Sequence, residues 1–154
     1  QETVTIYKEE IEKISKINNR KWQRAVFVIL VFAKKYGVYT NKSLYIWQNL
    51  KDILSKNEIS MNEKEYGEFL GYVVADMNYV VSVVRKRKQS WRIQIYNEGE
   101  FFLQISDFTN FQKFLPYFCS VCGKETKNKK GYCEEHTKEI RKEKVRLNVR
   151  NHRK

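Results

Sequence analysis

The sequence predicts an α+β protein in two parts, and two observations indicate this. Apolar residues recur every three or four positions through most of residues 5–78, as in amphipathic helices, and residues 80–105 are rich in β-branched and alternating apolar residues, as in strands. All three cysteines and one of the two histidines then fall within residues 119–136. We therefore expect one domain over residues 1–118 and a small module over residues 119–154.

The first domain should contain four helices, at residues 5–17, 20–36, 44–57 and 62–78. The first helix carries an apolar stripe that either packs on its own domain or forms the seam of a homodimer. The members of this stripe are Val4, Tyr7, Ile11, Ile14 and Ile17. The second is apolar nearly all round, which is typical of a core helix, and Gly37 follows it as a C-cap glycine would. Asn62 can cap the fourth helix, whose first turn is acidic.

A small antiparallel sheet is expected after these helices. Its strands are Val80–Val84, Trp91–Tyr96 and Phe101–Ile105, with a basic tip at Arg85–Ser90 between the first two. Ser106 or Asp107 should then cap a short helix that ends near Leu115. The predicted core consists of Trp22, Val26, Ile29, Leu30, Leu50, Leu70, Val73 and Trp91.

Three helices followed by a hairpin with a basic tip is the element order of a winged helix. In this interpretation residues 44–57 and 62–78 form the helix-turn-helix pair, and residues 80–96 form the wing. The helix at 62–78 is nevertheless more acidic than basic at its exposed positions, and carboxylates are repelled by phosphates. Either DNA binding depends on the wing tip and the C-terminal helix, or the helix at 62–78 contacts a protein partner.

The module at the C-terminal end carries a predicted metal site. Cys119 and Cys122 are separated by two residues, and so are Cys133 and His136, ten residues further on. This spacing predicts one Zn²⁺ bound by three thiolates and one imidazole. Because four protein ligands fill a tetrahedral shell, the site should be structural and not catalytic. Cysteines used as ligands also indicate a reducing compartment.

The charge of the chain indicates a polyanionic partner. The formal net charge is +12, and residues 119–154 hold 12 basic and 5 acidic side chains. The candidate nucleic-acid-binding residues are Arg85, Lys86, Arg87 and Lys88 at the wing tip, with Lys138, Lys142, Arg146, Arg150 and Arg153 along one side of the last helix. The alternative for this last set is a solvated, frayed tail.

The sequence does not predict an enzyme or a membrane protein. It has no glycine-rich phosphate loop and no Ser-His-Asp arrangement, and a bound zinc ion leaves no free cysteine. The longest apolar run, Ala25–Ala33, has nine residues, whereas a bilayer span needs about 20.

The C-terminal motifs resemble those of phage and mobile-element proteins of Gram-positive bacteria. The matching segments are Cys119–Gly123, Gly131–His136 and Arg141–Lys154, and upstream, more loosely, Trp22–Tyr36 and Asp107–Phe111. The resemblance implies a winged-helix, zinc-finger DNA-binding protein in the cytoplasm of a bacterial host, without an established activity. His136 stands where the commoner pattern has a fourth cysteine.

These observations together predict a regulatory or accessory protein of a phage or mobile element that binds nucleic acid, DNA in preference to RNA. The alternative is a phage-encoded inhibitor or adaptor that binds a host protein or ribonucleoprotein complex. A small basic protein of either kind would have this composition, and the acidic helix at 62–78 favours the alternative.

Overall fold

A computed structural model of the chain describes residues 3–40, 43–46, 49–77, 79–85, 87–94, 98–109, 111–127 and 131–152. The described residues form helices and small antiparallel sheets, so the α+β prediction is confirmed. The chain divides into two compact units, residues 1–112 and residues 113–154. The boundary predicted from the sequence lies six residues further along, between Phe118 and Cys119.

The first unit contains helices and strands that alternate along the chain. Its helices are α1 (Lys8–Ser15), α2 (Arg20–Tyr36), α3 (Leu50–Lys56) and α4 (Glu63–Gly71). Its strands are β1 (Val4–Tyr7), β2 (Val38–Thr40), β3 (Ser43–Ile46), β4 (Val80–Arg85), β5 (Lys88–Ile93) and β6 (Phe101–Ile105). A 3-10 turn at Phe111–Phe114, where a short helix ending near Leu115 was expected, spans the boundary between the first unit and the second along the chain.

Two antiparallel sheets organise the first unit. The larger has the strand order β2-β3-β5-β4, and the smaller pairs β1 with β6. A hairpin is present within the expected range 80–96 as β4 and β5, but β5 begins at Lys88 and not at Trp91, so the tip is shorter than expected. Ile95 and Tyr96 lie outside the described residues, and β6 does not join the hairpin. Instead Val4 lies opposite Ile105 and Ile6 opposite Leu103. Strand β1 thus pairs with a strand about 100 residues away in the sequence. Local sequence patterns do not predict such a distant pairing.

The expected helix at 5–17 is wrong in its first turn, because Val4–Tyr7 is a strand. Val4 and Ile6 are β-branched and point to the same face, where both are buried. The helix begins at Lys8, and Ile11, Ile14 and Ile17 are also buried within the chain. Burial in its own unit is what the first interpretation of this apolar stripe requires, and it leaves little of the stripe for a dimer seam.

The expected helix at 44–57 is wrong in its first half. Ser43–Ile46 is strand β3, which pairs with β5, and the helix starts at Leu50. Asn49 caps the start of α3, since its Oδ1 accepts hydrogen bonds from the N–H groups of Lys51 at 2.9 Å and Asp52 at 3.3 Å. Trp47 lies outside the described residues.

The helix predicted at 62–78 starts as expected, because Asn62 Oδ1 accepts a hydrogen bond from Glu65 N–H at 2.8 Å. It is α-helical to Gly71 and then widens into a π-helical turn at Tyr72–Asp76, in which Met77 N–H donates to the Tyr72 carbonyl at 2.9 Å. The sequence pattern did not predict this change of pitch. Asn78 lies outside the described residues.

Helix α2 is the core helix, as predicted. Its residues from Ala25 to Val31 are all buried, and Asn19 caps its start. Gly37 follows the helix but has φ −69°, so this position does not require glycine. Of the predicted core residues the structure buries Val26, Ile29, Leu30, Leu50, Val73 and Trp91. Trp22 and Leu70 are only half-buried, whereas Phe69, which was not in the predicted core, is fully buried with its ring edge-on to Trp22.

A buried ion pair joins α1 to α2. The Lys34 ammonium contacts the Glu10 carboxylate, and it also donates to the Thr5 carbonyl at 2.8 Å. The same carboxylate accepts a hydrogen bond from Tyr7 N–H at 3.1 Å. Burial lowers the pKa of Lys34, while the charge of Glu10 opposes this shift. The pair therefore holds β1, α1 and α2 together at one point.

The second unit contains a short hairpin and a long helix. Strands β7 (Tyr117–Phe118) and β8 (Glu125–Thr126) pair antiparallel, and α5 runs from Glu134 to His152. Among the described residues of either unit, no helix is both long enough and apolar enough to cross a membrane.

Candidate metal centre

The first cysteine pair lies in the loop of the β7–β8 hairpin. Cys119 N–H donates to the Lys124 carbonyl at 2.8 Å, and Gly123 N–H donates to the Cys119 carbonyl at 2.7 Å. These two bonds close a tight turn between Cys119 and Lys124. Gly123 has φ +75°, in the left-handed region that a side chain disfavours. Glycine therefore suits this position of the turn between the two cysteines and Lys124.

The second ligand pair spans the start of α5. The segment before it is fixed to the knuckle, since Ser120 N–H donates to the Gly131 carbonyl at 2.8 Å. Cys133 immediately precedes the helix, and its carbonyl accepts the first helical hydrogen bond, from Thr137 N–H at 2.8 Å. His136 lies on the first turn. Both ligands are thus held by a regular helix start.

The four predicted ligand residues converge. Their ligand atoms all lie within 4.8 Å of one another. Cys122 Sγ and Cys133 Sγ are 3.8 Å apart, and His136 Nδ1 lies 3.0 Å from Cys133 Sγ and 3.3 Å from Cys119 Sγ. A tetrahedral zinc ion with ordinary bond lengths separates its ligands by about 3.5–3.8 Å. The distance between the sulfurs of Cys122 and Cys133 matches this spacing, and the two distances to His136 are shorter by up to about half an ångström. The cluster could hold one metal ion.

Backbone N–H groups prepare one sulfur of the cluster for ionisation. Burial alone would raise the pKa of Cys119, but hydrogen bonds from the N–H groups of Cys133, Cys122 and Val121 lower it to about 6. At Cys122 the Lys124 N–H lowers the pKa, while burial and the neighbouring sulfurs outweigh it and raise the pKa. Contact with Cys133 raises the pKa of His136. Cys119 is therefore the first cysteine of the cluster to become a thiolate. A bound cation would favour the thiolate forms of Cys122 and Cys133 as well.

The predicted wing tip is a tight turn between β4 and β5. The strands stay in register from Val80 opposite Ile93 to Arg85 opposite Lys88, which leaves two residues for the turn. Arg87 is exposed and has φ +65°. The backbone of Lys86, and the side chains of Arg85 and Lys88, lie outside what the structure describes.

The residues of this turn are not the types that two-residue hairpin turns favour. Two-residue hairpin turns favour Asn-Gly or a similar pair, because positive φ strains other residues. Here an arginine has positive φ, and the flanking register partners Arg85 and Lys88 are both cationic. Arg87 thus occupies a turn position that arginine disfavours.

The structure describes the side chains of three of the five basic residues predicted to share one side of α5, and these three do share it. Lys138, Lys142 and Arg146 are exposed and fall within an arc of about 80°, because they are spaced by four residues. Lys138 also faces Glu134 at 4.0 Å, in a fully solvated pair. Arg150 belongs to the helix, but its side chain and the whole of Arg153 lie outside the described residues.

The exposed side of α4 is acidic, as the sequence indicated. Glu63, Glu68 and Asp76 are exposed, and Glu65 is held by Lys21 at 2.7 Å. Lys64 is the basic residue among the exposed positions of this segment. The surface that a helix-turn-helix protein would place in the DNA groove therefore carries the wrong charge for phosphates.

Sequence reasoning missed one residue that shapes the metal centre. Lys124 supplies both its carbonyl, to Cys119 N–H, and its N–H, to the Cys122 sulfur. Its place directly after the Cys-x2-Cys-Gly motif is the signal that could have identified it.

Comparison of the chain with models of protein families, with curated proteins and with solved structures finds no match.

Proposed function

We propose that this is a zinc-stabilised protein that binds nucleic acid, with duplex DNA as its partner. The observation that carries the proposal is the tip of the β4–β5 hairpin, where the exposed Arg87 has a strained backbone within a run of four basic residues in the sequence. Local conflict of this kind recurs at functional sites, because selection for binding outweighs the loss of stability. An exposed cationic turn suits the DNA backbone, whose phosphates attract arginine and lysine.

The strand pairing supports a winged-helix interpretation of the first unit. In that interpretation α2, α3 and α4 are the three helices, and β4 and β5 are the wing. Strand β3, which lies between the first two of these helices, pairs with β5 and completes a three-stranded core β3-β5-β4. The additional strands β1, β2 and β6 are then elaborations of this core.

Zinc is the ion proposed for the metal centre. Three thiolates and one imidazole are soft or borderline ligands, which zinc prefers and calcium or magnesium does not. When bound, the ion would link the knuckle to the first turn of α5 through Cys119, Cys122, Cys133 and His136. Elemental analysis of protein purified without added metal should give about one zinc per chain.

A binding titration tests the proposed function. Fluorescently labelled 20-base-pair DNA is titrated with the purified protein at low salt, with unlabelled duplex, single strand and duplex RNA as competitors. We expect saturable binding for which duplex DNA competes best. Competition by RNA alone, or the absence of binding, would reject duplex DNA as the partner.

The acidic side of α4 supports a second candidate, an adaptor or inhibitor that binds a protein. Replacing Glu63 and Glu68 by Gln distinguishes the two candidates. If α4 approaches DNA, the variant should bind duplex more tightly, because two repulsive charges are removed. If α4 serves a basic protein partner, DNA affinity should stay unchanged while protein binding weakens.

The biological setting is part of the same proposal. The resemblance of the C-terminal motifs to phage and mobile-element proteins supports a regulator or accessory factor that acts in the cytoplasm of a bacterial host. The residues that carry this resemblance are the metal ligands and the basic helix that follows them.

A further inference from the structure

A large open groove lies within the second unit, between strand β8 and helix α5. It has a volume of about 1050 Å³. Its basic lining comes from both walls, with Lys124 and Lys127 on the hairpin side and Lys138, Arg141 and Lys142 on the helix side. Lys124, Lys127 and Arg141 were not among the residues that the sequence singled out for binding. The described residues Lys144 and Arg146 do not line the groove.

The groove is more basic toward the later turns of α5. Its lining also contains Glu125, Glu134, Glu135 and Glu139. Two of these acidic residues, Glu134 and Glu135, belong to the first turn of α5, where the partial positive charge of the helix end favours them. Lys138, Arg141 and Lys142 follow, and they lie within an arc of about 100° on the helix. This arc faces the groove together with Lys127.

The metal ligands hold the two walls of the groove together. Cys119 and Cys122 belong to the hairpin side, and Cys133 and His136 belong to the helix side. The backbone of Lys124 is bonded to the first cysteine pair at both its carbonyl and its N–H. A change at the metal cluster would therefore change the spacing between the basic residues of the two walls.

We infer that this groove binds the phosphate backbone of the nucleic acid, and that metal binding and DNA binding in this module strengthen each other. The inference rests on the proposed function, and it names the residues of the second unit that would contact the DNA phosphates. Two facing rows of cations can follow a phosphate chain, whereas a single stripe on an isolated helix contacts it from one side only. Since the ligands fix the distance between the rows, the coupling must be reciprocal.

A pair of matched variants tests the groove. The first replaces Lys127 and Arg141, both exposed groove residues, by Ala; the control replaces Lys113 and Lys144 by Ala, both exposed, outside the groove and not among the candidate binding residues. Each variant removes two positive charges from the full-length, metal-loaded chain. We expect the groove variant to weaken duplex binding about tenfold or more and to lower the salt slope by about 1.8, and the control to change the slope by less than one.

Metal affinity gives the second readout. Zinc is titrated against a chelator with and without saturating duplex DNA. The wild type should hold zinc more tightly in the presence of DNA, and the groove variant should lose this gain. Equal weakening of DNA binding by both variants, or zinc affinity that DNA does not change, would overturn the inference while leaving the proposed function intact. A wild type that binds no DNA would overturn both.

Discussion

Arg87 and Glu58 are the two non-glycine residues with positive φ in the described part of the chain, at +65° and +64°. Glu58 follows helix α3, and its N–H and that of Ile59 close the helix end by donating to the Ser55 and Leu54 carbonyls. One position is thus a helix cap and the other is the proposed wing tip. The backbone strain is similar at the two positions, but the proposed binding role belongs to Arg87 alone.

Substituting Asn at each position separates stability from binding. Arg87→Asn and Glu58→Asn should each raise the free energy of unfolding by about 0.5–1 kcal/mol, because Asn tolerates the left-handed region. Urea denaturation measures this. Only Arg87→Asn should weaken DNA binding and lower its salt slope by about one. If Arg87→Asn binds DNA like the wild type, the wing tip is not a phosphate contact.

The buried pair of Glu10 and Lys34 gives a residue-scale prediction about stability. Lys34→Met should cost about 3–5 kcal/mol, because it leaves the buried carboxylate without its counter-charge. Adding Glu10→Gln should recover much of this loss, since the amide is neutral and its oxygen can still accept from Tyr7 N–H. Chemical denaturation of the three variants measures both effects. A double variant no more stable than Lys34→Met would contradict this explanation.

At the scale of elements, the metal centre should stabilise the second unit and not the first. Cys122→Ser removes one ligand, and metal binding in modules of this kind supplies about 10–16 kcal/mol of apparent folding energy. We expect this variant to lose zinc on dialysis and to lose amide-exchange protection in residues 113–154, while residues 1–112 keep theirs. Val121→Ser, at the exposed neighbouring position, is the control. Retention of one zinc ion by Cys122→Ser would refute the ligand assignment.

Elements whose signals are local could be predicted from the sequence. Helix α2 follows from an apolar run after Asn19, the start of α4 from Asn62, and the metal cluster from cysteine spacing. Each of these depends on residues within a few positions of one another. Their physical causes, capping and ligand geometry, are therefore visible in the sequence.

Elements that depend on distant partners could not be predicted in the same way. The helical periodicity predicts helix from residue 5 and from residue 44, and so includes most of the strands Val4–Tyr7 and Ser43–Ile46. They are strands because β6 and β5 offer them edges to pair with. The π-helical turn after Gly71 and the positive φ of Arg87 also escape sequence patterns, since neither has a distinct residue signature.

At the scale of the whole molecule, the net charge of +12 is spread over both units. The proposed contacts follow this division, with the wing tip in the first unit and the groove in the second. If the proposed function is correct, each unit contributes its own phosphate contacts, and DNA affinity should depend on both. Charge alone does not make this prediction, because it is the turn strain and the groove lining that select particular residues.

The salt dependence of DNA binding tests the central claim most directly. The metal-loaded, full-length protein is titrated against a 20-base-pair duplex at several salt concentrations between about 50 and 200 mM. Each neutralised phosphate contributes about −0.9 to the slope of log affinity against log salt, so contacts in both units predict a slope of about −3 or steeper. An affinity that does not change with salt, or no binding at the lowest concentration, would contradict the claim that this protein binds DNA through its basic surfaces.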